Sequence, residues 1–97
     1  MTDPTPLVQS HIARLFPPED QEEVKLLLLQ DCGTSLPFSD DASPEFFERV
    51  HCAALKLSEG RIYKLYDAIA LAQTDWRDLL VSAGFAEQTQ AHKDWKE

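Results

Sequence analysis

The sequence predicts an all-α fold, a compact array of five or six short helices forming one domain over residues 1–97. Three observations predict it. Thirteen leucines and ten alanines stand against three isoleucines and four valines, and unbranched side chains keep more rotamer freedom in a helix than β-branched ones do. Apolar residues recur at helical spacing and nowhere alternate over the length of a strand. Leu, Ile, Val and Phe make up about a quarter of the 97 residues, above the roughly one fifth below which a chain stays disordered, and a chain of this length accommodates one core.

The elements follow in order. Val8, Ile12, Leu15 and Phe16 form the stripe of a first helix near 6 to 16, which Pro17 and Pro18 end. Pro18 suits the first turn of a second helix near 18 to 31, where Glu19, Asp20, Glu22 and Glu23 favour the positive end of the helix dipole. Gly33 closes that helix, and the polar stretch 34 to 42 reads as the one long loop, with Leu36 and Phe38 tucked onto the core. Ser43 and Pro44 open a third helix near 44 to 58 with Phe46, Val50, Ala53, Ala54 and Leu57 on one face. Gly60 separates it from a fourth near 60 to 73, striped by Ile62, Leu65, Tyr66 and Ile69. Thr74 caps a fifth near 75 to 83 carrying Trp76, Leu79, Leu80 and Ala83, Gly84 closes it, and a sixth covers 87 to 95. The predicted core is Phe46, Val50, Leu57, Leu65, Ile69, Trp76, Leu79 and Leu80.

The run Ala53-Ala54-Leu55-Lys56-Leu57-Ser58-Glu59-Gly60, followed by Asp75-Trp76-Arg77-Asp78-Leu79-Leu80 and Ala83-Gly84-Phe85, resembles small all-helical bacterial proteins for which no activity is known. The likeness covers roughly 46 to 86, and its motifs are structural. It implies a bacterial, helical, cytoplasmic protein and carries no catalytic residue across.

Seventeen acids against nine bases give a net charge of −8, which repels phosphate and anionic lipid and sets a nucleic-acid or membrane-surface role at a disadvantage. The acidity belongs to the front: residues 1 to 45 hold nine acids and two bases, residues 46 to 97 eight and seven. An acidic front half is read first as a solvated face and a helix start that wants acids, and second as a surface for a basic partner. Met1 to Pro6 lacks the basic stretch and apolar run of a signal peptide, and no apolar run approaches a membrane span. The expectation is a cytoplasmic chain with no membrane partner, in which Cys32 and Cys52 are free thiols.

Signals for chemistry are weak. Glu48-x-x-His51 has the spacing of a helical carboxylate–imidazole metal pair, but the second such pair and the further glutamates of a di-iron site are missing. The default is a solvated Glu48 beside a core-flanking His51. Cys52 follows His51 directly, yet neighbours on a helix point about 100° apart, and neither cysteine sits where a dipole would activate it. His11, His51 and His92 fall on separate inferred helices, Ser39-Asp40-Asp41 lacks the ligand alternation of a calcium loop, and the three glycines mark helix ends rather than a phosphate loop. No catalytic residue, metal ligand or cofactor is assigned.

Apolar residues on the wrong side of their helices stand out more. Leu26 and Leu29 form a second stripe on helix two, Leu55 points away from the stripe centred on Val50, Leu71 opposes Ile62 and Val81 opposes Trp76. These five are the candidate partner surface, for another protein or for a second copy of the chain. The expected function is a small acidic protein–protein interaction or regulatory module with a possible homodimer. The alternative is a helix-turn-helix-like DNA-binding regulator drawn over Ile62 to Ala83, although its second helix opens with two acids and one arginine. A small enzyme ranks third.

Overall fold

The computed structural model describes residues 5–31, 44–87, 91–93 and 95. Its elements are α1 (Pro6–Leu15), α2 (Pro18–Asp31), α3 (Pro44–Ser58), α4 (Ile62–Ala83) and a 3₁₀ turn (Ala91–Lys93). Among the described residues the fold is all-helical with no strand, and they form four helices rather than five or six. Cys32, Gly33, Leu36, Phe38 and Ser39-Asp40-Asp41 lie outside the described residues.

Local chemistry accounts for the helix ends. The Thr5 hydroxyl accepts from the Val8 N–H at 3.4 Å and Pro6 takes the first position of α1, satisfying one of the orphan donors of a helix start. Phe16 leaves α1 in extended backbone, and its carbonyl accepts from the Gln21 side chain at 3.0 Å. Pro18, Glu19 and Asp20 open α2. At the far end of α3 the Ser58 hydroxyl donates to the Leu55 carbonyl at 2.6 Å and accepts from the Gly60 N–H at 3.3 Å. Glu59 and Gly60 then take φ of +54° and +78°. Two successive left-handed residues cannot belong to a helix, so α4 begins at Ile62 and not at Gly60.

The expected fourth and fifth helices are two arms of α4, divided by Asp75 at φ −159°, ψ 97°. The break sits where the sequence placed a cap, but the cap is Asp75 itself: its carboxylate accepts from the Arg77 N–H at 3.0 Å, while the Thr74 hydroxyl donates back to the Ala70 carbonyl. The break turns the chain. Trp76 packs edge-on against Phe46 with ring centroids 5.0 Å apart. A straight helix rising ~1.5 Å per residue would carry Ala83 about 10 Å further from that point, beyond the start of α3. Instead the Ala83 carbonyl accepts from Lys56, near the other end of α3, at 2.8 Å. The first arm therefore runs back along α3 and the second arm returns.

This makes α3 the centre of the molecule, packed by α1, by both arms of α4 and by the 3₁₀ turn. Cys52, Ala53, Ala54 and Leu55 are all fully buried. Leu55 is thus core and no partner surface: a helix covered on two sides has no outward face at that position. Of the predicted core, Phe46, Val50, Leu65, Ile69, Leu79 and Leu80 are buried, whereas Leu57 and Trp76 are half-buried at its margin. In α2 only Val24 and Leu28 are fully buried. Tyr66 donates to Glu23 and Gln73 to the Asp31 carbonyl, an ascending register that sets α2 parallel to the first arm of α4.

Of the expected sixth helix near 87 to 95, residues 91–93 form the 3₁₀ turn, and 88–90 and 94 lie outside the described residues. The stretch just after α4 is held by a long-range contact, Arg49 donating to the carbonyls of Phe85, at 2.6 and 3.0 Å, and of Ala86, at 2.9 Å. With Lys56 on Ala83, two cations from α3 serve the carbonyl end of α4, whose own last turn has no basic residue. Among the described residues no helix is long and apolar enough to cross a membrane.

Candidate functional site

Polar chemistry gathers in two places, one buried and one exposed. The buried one joins α3 to the 3₁₀ turn. His92 Nε2 donates to Glu48 Oε1 at 2.9 Å, with the imidazole 1% and the carboxylate side chain 13% exposed. The glutamate flagged by its spacing to His51 therefore pairs with a histidine 44 residues away, and is neither solvated nor joined to a metal pair. His51 is buried and stacks on Phe47 instead. Burial works to raise the Glu48 pKa, but hydrogen bonds from Thr5 and His92 and the charges of His92 and Lys93 outweigh it and hold the carboxyl below its ordinary value.

Around this pair, His11 lies 4.2 Å from Trp95 in a stack, Arg14 covers the same indole at 5.3 Å, and Phe85 touches both Trp95 and His92. Cys52, one turn beyond Glu48 on α3, is a buried free thiol. Burial, and then the Glu48 charge, push its pKa up to about 12, the reverse of what an activated nucleophile requires. A general base must come within hydrogen-bond reach of its substrate's proton, and an imidazole with 1% exposure offers no such approach. What this cluster can do is clamp the 3₁₀ turn and Trp95 onto α1 and α3. Among the described residues no group of three or more His, Cys, Asp or Glu is placed to hold a metal ion.

The second place is the outward face of α2 and the first arm of α4. Leu26, Tyr63 and Tyr66 stand 39%, 58% and 49% exposed, on helices tied together by the Tyr66 hydroxyl, which donates to Glu23 Oε2 at 2.8 Å. That bond is the first cause, ahead of burial and the charges of Glu23 and Asp31, of a raised Tyr66 pKa. On α2, Glu19, Glu22, Glu23 and Leu26 follow the i, i+3, i+4, i+7 spacing of one face, and on α4 Tyr63, Tyr66, Asp67 and Ala70 do the same. Beside Asp67 an open depression of about 300 Å³ is lined by Leu57, Lys64, Asp67, Ala68 and Leu71.

No family model, curated protein or solved structure matches this chain.

The predicted surface residues separate accordingly. Leu26 is exposed on this face, Leu29 is half-buried at the flank of α2, and Leu71 is half-buried in the wall of the depression. Val81 is 64% exposed, on the second arm. On that arm Asp75, Arg77 and Asp78 are exposed, and Arg77 lies over the Trp76 ring at 5.3 Å. One non-helical residue joins the arms where a helix-turn-helix has a turn of about three or four. The tyrosines of the outward face were missed. Tyr66 had been counted into a core stripe because a helical projection treats a tyrosine on the edge of a stripe as apolar, and only its hydroxyl partner on α2 decides which way it faces.

Proposed function

We propose that this chain is a protein–protein interaction module whose working surface is the outward face of α2 and the first arm of α4. The observation that carries the reading is the grouping of Leu26, Tyr63 and Tyr66, three large exposed side chains on two adjacent helices. Tyrosine contributes large contact area with few rotatable bonds, which is why such residues concentrate in binding surfaces. The depression next to it, walled by Leu57 and Leu71, extends the apolar area across α4.

The test compares capture from native lysate by the wild-type chain and by the triple variant Leu26→Ser, Tyr63→Ala, Tyr66→Ala. The variant loses the Tyr66–Glu23 bond between α2 and α4 but no fully buried side chain, so it is expected to stay folded and to melt about 5–15 °C below wild type, which circular dichroism checks. Proteins retained by wild type and lost by the folded variant support the proposal. Identical capture by both, or none by either, overturns it.

A further inference from the structure

We infer that the partner on this face is a positively charged, arginine-bearing segment of another protein, an inference that rests on the α2/α4 face being the interaction surface. The face carries a net negative charge. Glu19, Glu22 and Asp67 are exposed, and among the described residues none of them is in an ion pair. Of the neighbouring bases, Lys64 is cancelled by Glu59 at 3.3 Å, while Arg61, which donates to the Tyr63 hydroxyl at 3.1 Å, and Lys25 keep their charge, so Glu19, Glu22, Glu23 and Asp67 outnumber them four to two. A second copy across a two-fold axis would set this acidic patch against itself, whereas a cationic segment meets both its carboxylates and its rings.

Rings set beside carboxylates favour arginine over lysine. A guanidinium is planar and weakly hydrated, stacks on an aromatic face and bonds a carboxylate through two parallel N–H groups, which an ammonium does not do. Tyr63 and Tyr66 are one turn apart on α4, Asp67 lies one turn beyond Tyr63, and Glu23 is bound to Tyr66, so rings and carboxylates share one face. The same chain sets Arg14 over Trp95 and Arg77 over Trp76, each at 5.3 Å, and Lys56 over Phe85 at 5.0 Å, so the rings accept either cation and the two-point bond to a carboxylate is what separates arginine.

The experiment titrates the full chain with a capped hexa-arginine peptide at low ionic strength and follows backbone amides by NMR, with hexa-lysine and hexa-glutamate peptides alongside. The expected result is hexa-arginine shifting amides of residues 19–27 and 62–71 more than those around Asp75 and Asp78. Affinity should fall about fivefold or more in Tyr63→Ala/Tyr66→Ala and in Glu22→Gln/Asp67→Asn, as expected for losing two stacked or charge-assisted contacts. Tyr63→Leu, which keeps apolar bulk without a π face, should also weaken it. Shifts spread evenly over all acids, equal binding of hexa-lysine, or tyrosine variants that bind unchanged would overturn the inference. So would a dimer in sedimentation velocity that Tyr63→Ala/Tyr66→Ala dissociates, since the occupant would then be a second copy. Loss of lysate partners in the triple variant without hexa-arginine binding would leave the face standing and remove only its arginine-bearing partner.

Discussion

Gly60 and Gly84 have nearly the same backbone, φ +78° and +82°, yet alanine at the two positions should behave very differently. A methyl group at Gly84 would meet only the Lys56 ammonium, at 3.8 Å. Its cost is that of an L-residue in the left-handed region, roughly 1–2 kcal/mol, less the roughly 0.4–1 kcal/mol by which Gly→Ala stabilises through the unfolded chain. Gly84→Ala should therefore lose about 0–1.6 kcal/mol. At Gly60 the same methyl would lie 2.7 Å from the Leu15 carbonyl oxygen, and that oxygen belongs to backbone at the end of α1. It cannot rotate away, so the α3–α4 turn and α1 must separate, an overpacking cost of about 1–3 kcal/mol on top of the backbone cost. The expected total is about 1–4.6 kcal/mol, and since ~1 kcal/mol shifts the melting temperature of a domain this size by about 4–8 °C, Gly60→Ala should melt at least about 4 °C below wild type and below Gly84→Ala. Circular dichroism melts and urea titrations of both variants measure the difference. A Gly60→Ala variant as stable as Gly84→Ala would refute the close approach of α1 to that turn.

Three further outcomes follow from the buried parts of the fold. Leu55→Ala and Leu79→Ala, both at fully buried positions, should each cost about 2–5 kcal/mol in urea unfolding, and a Leu55→Ala midpoint equal to wild type would return Leu55 to the surface. Because the folded Glu48 pKa lies below the ordinary value of 4.5, its contribution is fully present above that pH and is lost as pH falls through the lower folded value. The stability gap between wild type and Glu48→Gln should therefore be open at neutral pH and narrow below about pH 4.5, and a gap that widens on acidification contradicts the sign of the shift. In a Cys32→Ser background, Cys52 with its pKa near 12 should resist alkylation at pH 8 in the folded protein and react on unfolding; equal rates in both states would show an accessible thiol.

What the sequence disclosed depended on how far apart the interacting residues were. Pro6, Pro18, Gly60 and Gly84 act on backbone within a few residues, so the ends of α1 to α3 and the close of α4 were legible to within a residue or two. The break at Asp75 was legible for the same reason, but its consequence, an arm that returns along α3, was not. The Glu48–His92 pair and the Arg49 contacts to Phe85 span 44 and 36 residues, and no spacing rule reaches that far. Leu55 was misplaced because a helical projection assumes one buried side and α3 has more. Leu26 was correctly placed away from the Val24 and Leu28 stripe because α2 does have a single buried side. The tyrosine face of α4 was hidden by a residue type that serves equally well in a core or on a surface.

The stack of His11 on Trp95 also bears on when the molecule can finish folding. The helices α3 and α4 are joined by a three-residue turn, so they can associate as soon as both have left the ribosome, and the loop-closure entropy they must overcome is small. The α1 helix emerges first, yet the indole that covers its His11 lies 84 residues further along the chain. At translation rates of about 5–20 residues per second, His11 and its neighbours on α1 wait several seconds for that cover. The α3–α4 hairpin is thus the pairing of lowest entropic cost, and the contact of Trp95 with α1 spans the greatest sequence separation of the contacts among the described residues.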